Sequence, residues 1–330
     1  MANLTLTIAT DNYDRVRAIR DGRVQVGGCD VIYLLMEPEE LFFRTARYRE
    51  FDVCEMSFST YLMQRARGES EYVALPVFLS RVFRHSGFYI RTDRGIASAA
   101  DLRGRTVGVP EYQVTAAVWQ RGLLRDDYGI DASEIRWRTG GIEEPGREER
   151  APFTPPPGVE VARIPADRTL SGMLAAGELD ALILPRTPSC FTRGAANVGR
   201  LWPDYRTAEQ DYYRRTGLHP IMHVLGVKTA LAEKYPWLPG NLHKAFSQAK
   251  ELAIADLERL ITLYVTLPWL GAELEATRAV LGHDIWPYGV QANRKDIETL
   301  LRYSHEQGLA QKLQTVEELF HPSTLVTSRI

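Results

Sequence analysis

The chemistry-bearing side chains of this 330-residue chain gather in a few short stretches. Arg81, Arg84 and His85 stand almost side by side. A guanidinium grips a carboxylate bidentately and an imidazole titrates near neutral pH, so this group reads as an anion clamp with a proton donor. A solvated loop with a capped histidine is the other reading of the same residues. Burying so much cationic charge without an anionic partner is costly, and the cluster lies between two α/β units, where a cleft is expected. That position favours the clamp.

His219 and His223 lie four apart, which on a helix would make a metal pair. Pro220 and the alternating apolar residues around it argue for a strand instead. There four residues span roughly 13 Å, too far for one ion, though both imidazoles would share a face. Either could then meet His85 across paired strands, and His223 reads equally as a hydrogen-bonded core histidine. Ser57, Ser59 and Thr60 open one helix, and Gln113 and Thr115 open another, where free backbone N–H groups make ready anion sites. Ordinary capping explains either run taken alone. Taken together, one from each unit, they could hold two carboxylates of a single ligand from opposite sides. Glu55 and Glu111 flank these runs as candidate general acid or base; Glu111, at a helix start, is expected to stay ionised. Trp286-Pro287-Tyr288-Gly289 is a rigid aromatic loop that suits a cleft wall or surface packing equally.

The elements that must position these residues follow from periodicity. Residues 4–10, 31–35, 52–56 and 75–79 read as strands. The first is followed by the acid-rich helix start Asp11-Asn12-Tyr13-Asp14, the second by a helix opened at Pro38, and the third by the helix carrying Tyr61, Leu62 and Ala66. A second unit holds strands at 106–109, 135–138, 159–164 and 181–184, helices near 114–125 and 170–176, and a long irregular loop over 139–158. The stretch 85–91 alternates as a strand leading into this unit, and 219–227 as a strand leading back. Helices then follow: a long one carrying Leu242, Phe246, Ala249, Ala253, Leu257, Leu260, Ile261 and Tyr264, and shorter ones at 272–281 and 295–306. The fold class is α/β, in two lobes joined by two crossing strands. Lobe 1 is 1–90 plus 220–330, lobe 2 is 91–219, and the ligand is expected in the crevice between them, at the carboxyl ends of strands.

Composition excludes several classes. Hydrophobic content of 45% and charged content of 25% are ordinary for a globular protein, and a net charge of -2 argues against broad nucleic-acid or acidic-membrane binding. No apolar run approaches the ~20 residues of a membrane helix. Cys29, Cys54 and Cys190 are too scattered for a disulfide framework or a zinc ribbon and read as small buried hydrophobes. No lysine precedes Lys228, which removes Schiff-base chemistry from the first two-thirds of the chain, and no phosphate loop, GxSxG, HExxH or dinucleotide fingerprint occurs. Leu4-Thr5-Leu6-Thr7-Ile8 follows Met1-Ala2-Asn3 directly, with no basic or long apolar leader, so a cytoplasmic location is expected.

The strings Phe83-Arg84-His85-Ser86, Val109-Pro110-Glu111-Tyr112-Gln113, Trp137-Arg138-Thr139-Gly140-Gly141, Pro220-Ile221-Met222-His223 and Tyr303-Ser304-His305-Glu306-Gln307-Gly308 resemble those of 4,5-dihydroxyphthalate decarboxylases, over essentially the whole chain. The resemblance implies the two-lobed fold of type II periplasmic solute-binding proteins. It also implies conversion of 4,5-dihydroxyphthalate to 3,4-dihydroxybenzoate and CO2 with no organic cofactor; from the residues no metal site is expected. In that chemistry Arg81 or Arg84 would anchor the retained carboxylate, and His85 or His223 would protonate the ring. His219 or Glu111 would sit near the hydroxyls, while Ser57, Gln113, Thr115 and Glu55 would contact the substrate. Fold alone does not prove catalysis. A non-catalytic binding or sensory protein for an aromatic acid stays open, as does a metal-assisted decarboxylase using His85, His219, His223 and a glutamate. The expected partner is a small aromatic carboxylate rather than nucleic acid or membrane, and homo-oligomerisation stays open.

Overall fold

The computed structural model describes residues 3–149, 153–259 and 261–326. Its first lobe is built on β1 (Leu4–Thr10), β2 (Cys29–Leu35), β3 (Val53–Ser57) and β4 (Tyr72–Arg81), with α1 (Asp14–Arg20), α2 (Pro38–Tyr48) and α3 (Phe58–Arg67) between them. Pro38 starts α2 because its missing N–H is one the first turn leaves unpaired in any case. All of β3 and nearly all of β4 are buried, and β4 reads as a nearly continuous apolar run, whereas edge strand β2 alternates; β3 buries Glu55 among apolar neighbours.

The second lobe follows with β5 (Phe88–Arg91), β6 (Thr106–Val109), α4 (Thr115–Tyr128), β7 (Arg136–Thr139), β8 (Val161–Arg163), α5 (Leu170–Ala176), β9 (Ala181–Ile183), α6 (Ser189–Thr192), β10 (Val198–Arg200) and α7 (Tyr205–Thr216). Its sheet runs β10-β5-β9-β6-β7-β8. The chain then returns to the first lobe as β11 (Ile221–Lys228), which inserts antiparallel between β3 and β4 to give the order β2-β1-β3-β11-β4. Finally come α8 (Thr229–Lys234), α9 (Leu238–Glu258), α10 (Leu270–Leu281) and α11 (Val290–Glu306). No described helix is long and apolar enough to cross a membrane.

The two crossings lie side by side. Ile221 pairs with Arg81, and the Val82 N–H donates to the Pro220 carbonyl at 3.1 Å. Both crossings depart from simple strands. His85–Gly87 forms a 3-10 turn, so the alternation expected from His85 begins only at Phe88. Glu209 accepts the Ser86 N–H at 3.0 Å and closes the turn, while a Cβ on Gly87 would stand 2.4 Å from the Leu184 carbonyl oxygen. On the return, β11 starts after Pro220, which has no N–H to give a ladder. The His219 N–H goes instead to Asp296 at 2.9 Å, so His219 and His223 do not share a strand face. The register between β11 and β4 slips on both sides of His223, the kind of irregularity that re-aims a side chain.

α9 packs on α1 and ends at Glu258, short of the expected stretch. Leu260 lies outside the described residues, as do Met1 and Ala2, and Ile261 is fully exposed, so beyond Glu258 the apolar spacing has no core to face. α11 lies against both α3 and α4, one from each lobe. Its Tyr303 ring meets Trp119 edge-on at 5.5 Å, and Trp119 Nε1 donates to the Ile221 carbonyl at 2.9 Å, tying α4 to the start of β11.

That packing depends on Gly122. A Cβ there would come within 2.1 Å of the Tyr303 ring. Glycine to alanine inside a helix ordinarily stabilises by roughly 0.5–1 kcal/mol. Here Gly122→Ala is expected to destabilise by about 1–3 kcal/mol through overpacking, read as a lower midpoint in urea with unchanged m-value.

Candidate functional site

A cleft of about 460 Å³ opens between the lobes. Strand ends feed it from both sides. Asp11 and Tyr13 follow β1, Ser57 closes β3, and Thr60 stands in the first turn of α3. Glu111, Gln113 and Thr115 follow β6, and Val82 and Arg84 lie on the first crossing. β11 presents Met222 and His223, and α2 presents Glu39 and Phe42. In this lining the carboxylates Asp11, Glu37, Glu39 and Glu111 face the guanidiniums Arg84, Arg147 and Arg186.

His223 is held from behind. Its Nδ1 lies 2.6 Å from Glu55 Oε1, which also accepts the Tyr13 hydroxyl at 2.6 Å, while Glu55 Oε2 takes the Asp11 N–H at 2.9 Å. Glu55 is wholly buried, which by itself would raise its pKa. The hydrogen bond and charge of His223, with the donors from Asp11 and Tyr13, outweigh burial and hold the carboxyl below its ordinary range. Burial and the neighbouring Glu55 push the Tyr13 phenol far up, so it stays a donor. Phe42 packs edge-on against the imidazole at 4.8 Å. With Nδ1 engaged by a carboxylate, Nε2 is the nitrogen left to act on a ligand, as donor or acceptor.

Arg84 is the cationic counterpart. Its Nε reaches the Met222 sulfur at 3.2 Å and Nη1 the Pro185 carbonyl at 3.3 Å. Among the described residues no carboxylate lies within ion-pair reach of this buried guanidinium. Burial, partly offset by Glu209, brings its pKa down to about 10, so it is charged at neutral pH and disposed to take an anion. Nearby, Thr60, Ser57 and Thr115 form a hydroxyl chain across the lobes at 3.2 and 3.1 Å, and the Ser59 N–H donates to Thr115 at 3.1 Å. Glu111 is gripped by Arg147 through Nη2 at 2.6 Å and Nε at 2.9 Å, with Gln113 at 3.3 Å.

Of the residues singled out from sequence, the structure brings His223, Glu111, Arg84, Ser57, Gln113 and Thr115 to the cleft, with Glu55 directly behind. It sets Arg81, His85 and His219 apart. Arg81 is consumed by Asp296 at 3.0 Å, Asn293 and the His219 carbonyl. His85 packs between Trp202 and Tyr212, and burial lowers its pKa to about 4. His219 stacks on Phe83, and burial together with Arg81 lowers it to about 3. The aromatic loop also lies elsewhere, with Trp286 Nε1 bonded to the Phe78 carbonyl at 2.8 Å. Among the described residues no cluster of three or more His, Cys, Asp or Glu side chains could hold a metal ion.

Sequence reasoning missed Tyr13, Phe42, Glu39, Arg147 and Arg186. The long loop after β7 was a signal for Arg147, since such loops in compact domains are often functional. Nothing local marked Arg186.

No family model matches the chain. It is 46% identical over 330 residues to the 4,5-dihydroxyphthalate decarboxylase of Comamonas testosteroni, covering 100% of both chains. It is 52% identical over 214 residues to the 4,5-dihydroxyphthalate decarboxylase of Pseudomonas putida, covering 65% of this chain and 83% of that one. The structure superposes on the periplasmic aliphatic sulphonate binding protein SsuA from Escherichia coli with a TM-score of 0.56 at 13% identity, covering 98% of this chain and 99% of that chain. For the periplasmic sulfonate-binding protein SsuA from Methylobacillus flagellatus the TM-score is 0.57 at 11% identity, covering 98% and 93%. At such identities the likeness shows the fold alone: a two-lobed, periplasmic-binding-protein-like α/β architecture.

The buried histidines make a pH prediction. His85 and His219 keep neutral rings in the folded state down to about 4 and about 3, against an ordinary value of 6.5. The unfolded chain therefore binds more protons below pH 6.5, and stability falls as pH drops through that window. Each ring contributes a slope of up to ~1.4 kcal/mol per pH unit. Urea unfolding of His85→Phe and His219→Phe between pH 4 and 7 should show that slope reduced.

Proposed function

The chain belongs to the 4,5-dihydroxyphthalate decarboxylase family, and from that premise we propose that it removes one carboxylate of 4,5-dihydroxyphthalate, giving 3,4-dihydroxybenzoate and CO2 without an organic cofactor. The observation that carries the chemistry is the Tyr13–Glu55–His223 array, which presents one imidazole to the cleft on a fixed carboxylate.

In this substrate a hydroxyl stands para to each carboxylate. When that hydroxyl loses its proton, its electron pair is pushed through the ring to the carbon bearing the departing carboxylate. That carbon takes a proton from His223 Nε2, forming a C–H bond and leaving a ring ketone. The C–C bond then breaks, its pair restores the aromatic ring and returns charge to the oxygen, and CO2 leaves; the oxygen takes its proton back from Glu111, and His223 is reprotonated from solvent. Glu55 stabilises the imidazolium that this step needs. Glu111 faces the hydroxyl and accepts its proton, and Arg147 beside it offsets the charge that develops on the ring oxygen. Arg84, with Ser57, Thr115 and Gln113, holds the retained carboxylate and orients the ring. The departing carboxylate loses its charge, so an apolar surface favours it; Phe42, edge-on to His223, supplies one, and Val114 and Ala116 line the same cleft.

Protein freed of metals should release CO2 from 4,5-dihydroxyphthalate, with a matching change in ultraviolet absorbance. Binding without turnover at any pH would make this a binding protein, and activity lost to a chelator and restored by one divalent ion would make it metal-assisted. His223→Ala is expected to lower kcat by ~10²–10⁴-fold with little change in KM. Arg84→Met should instead raise KM by roughly tenfold or more, the worth of a charge-assisted hydrogen bond. Equal losses in kcat and affinity for His223→Ala would reduce it to a binding role.

A further inference from the structure

The ion pairs at the cleft rim are arranged as a filled anion site. A single oxygen of Glu39, Oε1, accepts from Arg147 Nη1 at 3.0 Å and also from Arg186 Nη2. Glu39 comes from the first turn of α2 in the first lobe. Both arginines come from the second lobe, Arg147 from the loop after β7 and Arg186 from just past β9. Two guanidiniums converging on one oxygen is how a protein holds a ligand carboxylate or oxyanion. Here the oxygen belongs to the protein.

Burial says which partner can move. The Glu39 side chain is 51% exposed, whereas Glu111, on the other flank of Arg147, is 2% exposed. A half-exposed carboxylate can turn into water with little desolvation to reverse, and a buried one cannot. Arg147 therefore stays in place on Glu111 when Glu39 leaves. Charge supplies the reason for leaving. Carboxylates outnumber guanidiniums in the cleft lining, so an anion with two charged groups is repelled unless one carboxylate gives way.

We propose that Glu39 is a resident stand-in for an anionic oxygen of the substrate. It occupies Arg147 and Arg186 until a ligand supplies an anionic oxygen of its own, the ionised ring hydroxyl, while Arg84 holds the retained carboxylate. The idea rests on the function argued above, and it makes Glu39, Arg147 and Arg186 the determinants of selection for ligands carrying a second charge. A ligand with one anionic group satisfies Arg84 and leaves Glu39 where it is.

Calorimetric titration of the full-length protein tests it with benzoate, phthalate and 3,4-dihydroxybenzoate as probes. Glu39→Gln keeps the shape and removes the competing charge. It should tighten 3,4-dihydroxybenzoate about three- to tenfold, with proton release that scales across buffers of different ionisation enthalpy. Phthalate, whose second group is a carboxylate, should change by less than about twofold. Benzoate should change by less than about twofold. Arg186→Met should weaken the same ligand that Glu39→Gln tightens. Glu39→Gln that leaves 3,4-dihydroxybenzoate unchanged, weakens it, or tightens benzoate or phthalate equally overturns the exchange. Wild-type protein that decarboxylates 4,5-dihydroxyphthalate while Glu39→Gln gains nothing overturns the exchange alone. Wild-type protein that neither binds these ligands nor releases CO2 overturns the function and the exchange with it.

Discussion

A carboxylate with no contact with water sits at the centre of this structure. Glu55 lies in the middle of the first sheet, and an ion there is tolerated only if nearly every lone pair is met. Its donors come from places far apart in the chain: the Asp11 N–H and the Tyr13 hydroxyl from the turn after β1, and His223 from the strand that has returned from the other lobe. Once buried, the carboxylate stays ionised only because β1, β3 and β11 are in register. The same bond fixes which nitrogen of His223 faces the cleft. Folding of the first lobe and orientation of the imidazole are thus one event, and the slipped register on either side of His223 is the local adjustment that accommodates it.

Arg81 and Arg84 show how much of a site depends on partners the local sequence cannot reveal. Read along the chain they are equivalent, two arginines beside a histidine. Arg81 is the last residue of β4, and its guanidinium turns to Asp296 and Asn293 on α11, where it secures the C-terminal helices. Arg84, past the end of the strand, meets a thioether and a carbonyl, with no carboxylate in ion-pair reach among the described residues, and keeps its charge available to the cleft. The distinction is made by Asp296, more than two hundred residues away in the chain.

The fold was legible wherever local pattern and final environment agree. Leu4–Thr10 alternates and is a strand; Pro38 opens a helix; the buried run Val53–Ser57 ends in hydroxyls that start α3. Legibility failed where tertiary contacts override the pattern. His85–Gly87 alternates like a strand but is pulled into a turn by Glu209. The apolar spacing of α9 continues past Glu258 without a surface to pack on. Helix α7, Tyr205–Thr216, is so polar that only Tyr212 is buried, so it offered no face to read. In the site, types and helix starts pointed to Ser57, Glu111, Gln113 and Thr115, but Tyr13 and the Glu39 pairings exist only across elements.

The proposed chemistry asks more of a two-lobed architecture than binding does. Binding a dianion calls for cationic or N–H donors on both of its charged groups, and a cleft between strand ends and helix starts supplies those readily. Decarboxylation asks for asymmetry. One charged group must be gripped, while the other must lie against a surface that favours its conversion to neutral CO2, with a proton source over the bond that breaks. A symmetrical pair of clamps would stabilise the starting dianion as much as anything that follows and gain no rate. In the proposed site the asymmetry comes from two neighbouring crossings, Arg84 on the first and His223 on β11. The Met222 sulfur backs Arg84, and His223, its ring edge-on to Phe42, is supported by Glu55. On this reading the step from holding an aromatic acid to cleaving it needs no new fold, only a histidine at that position and a buried carboxylate to direct it.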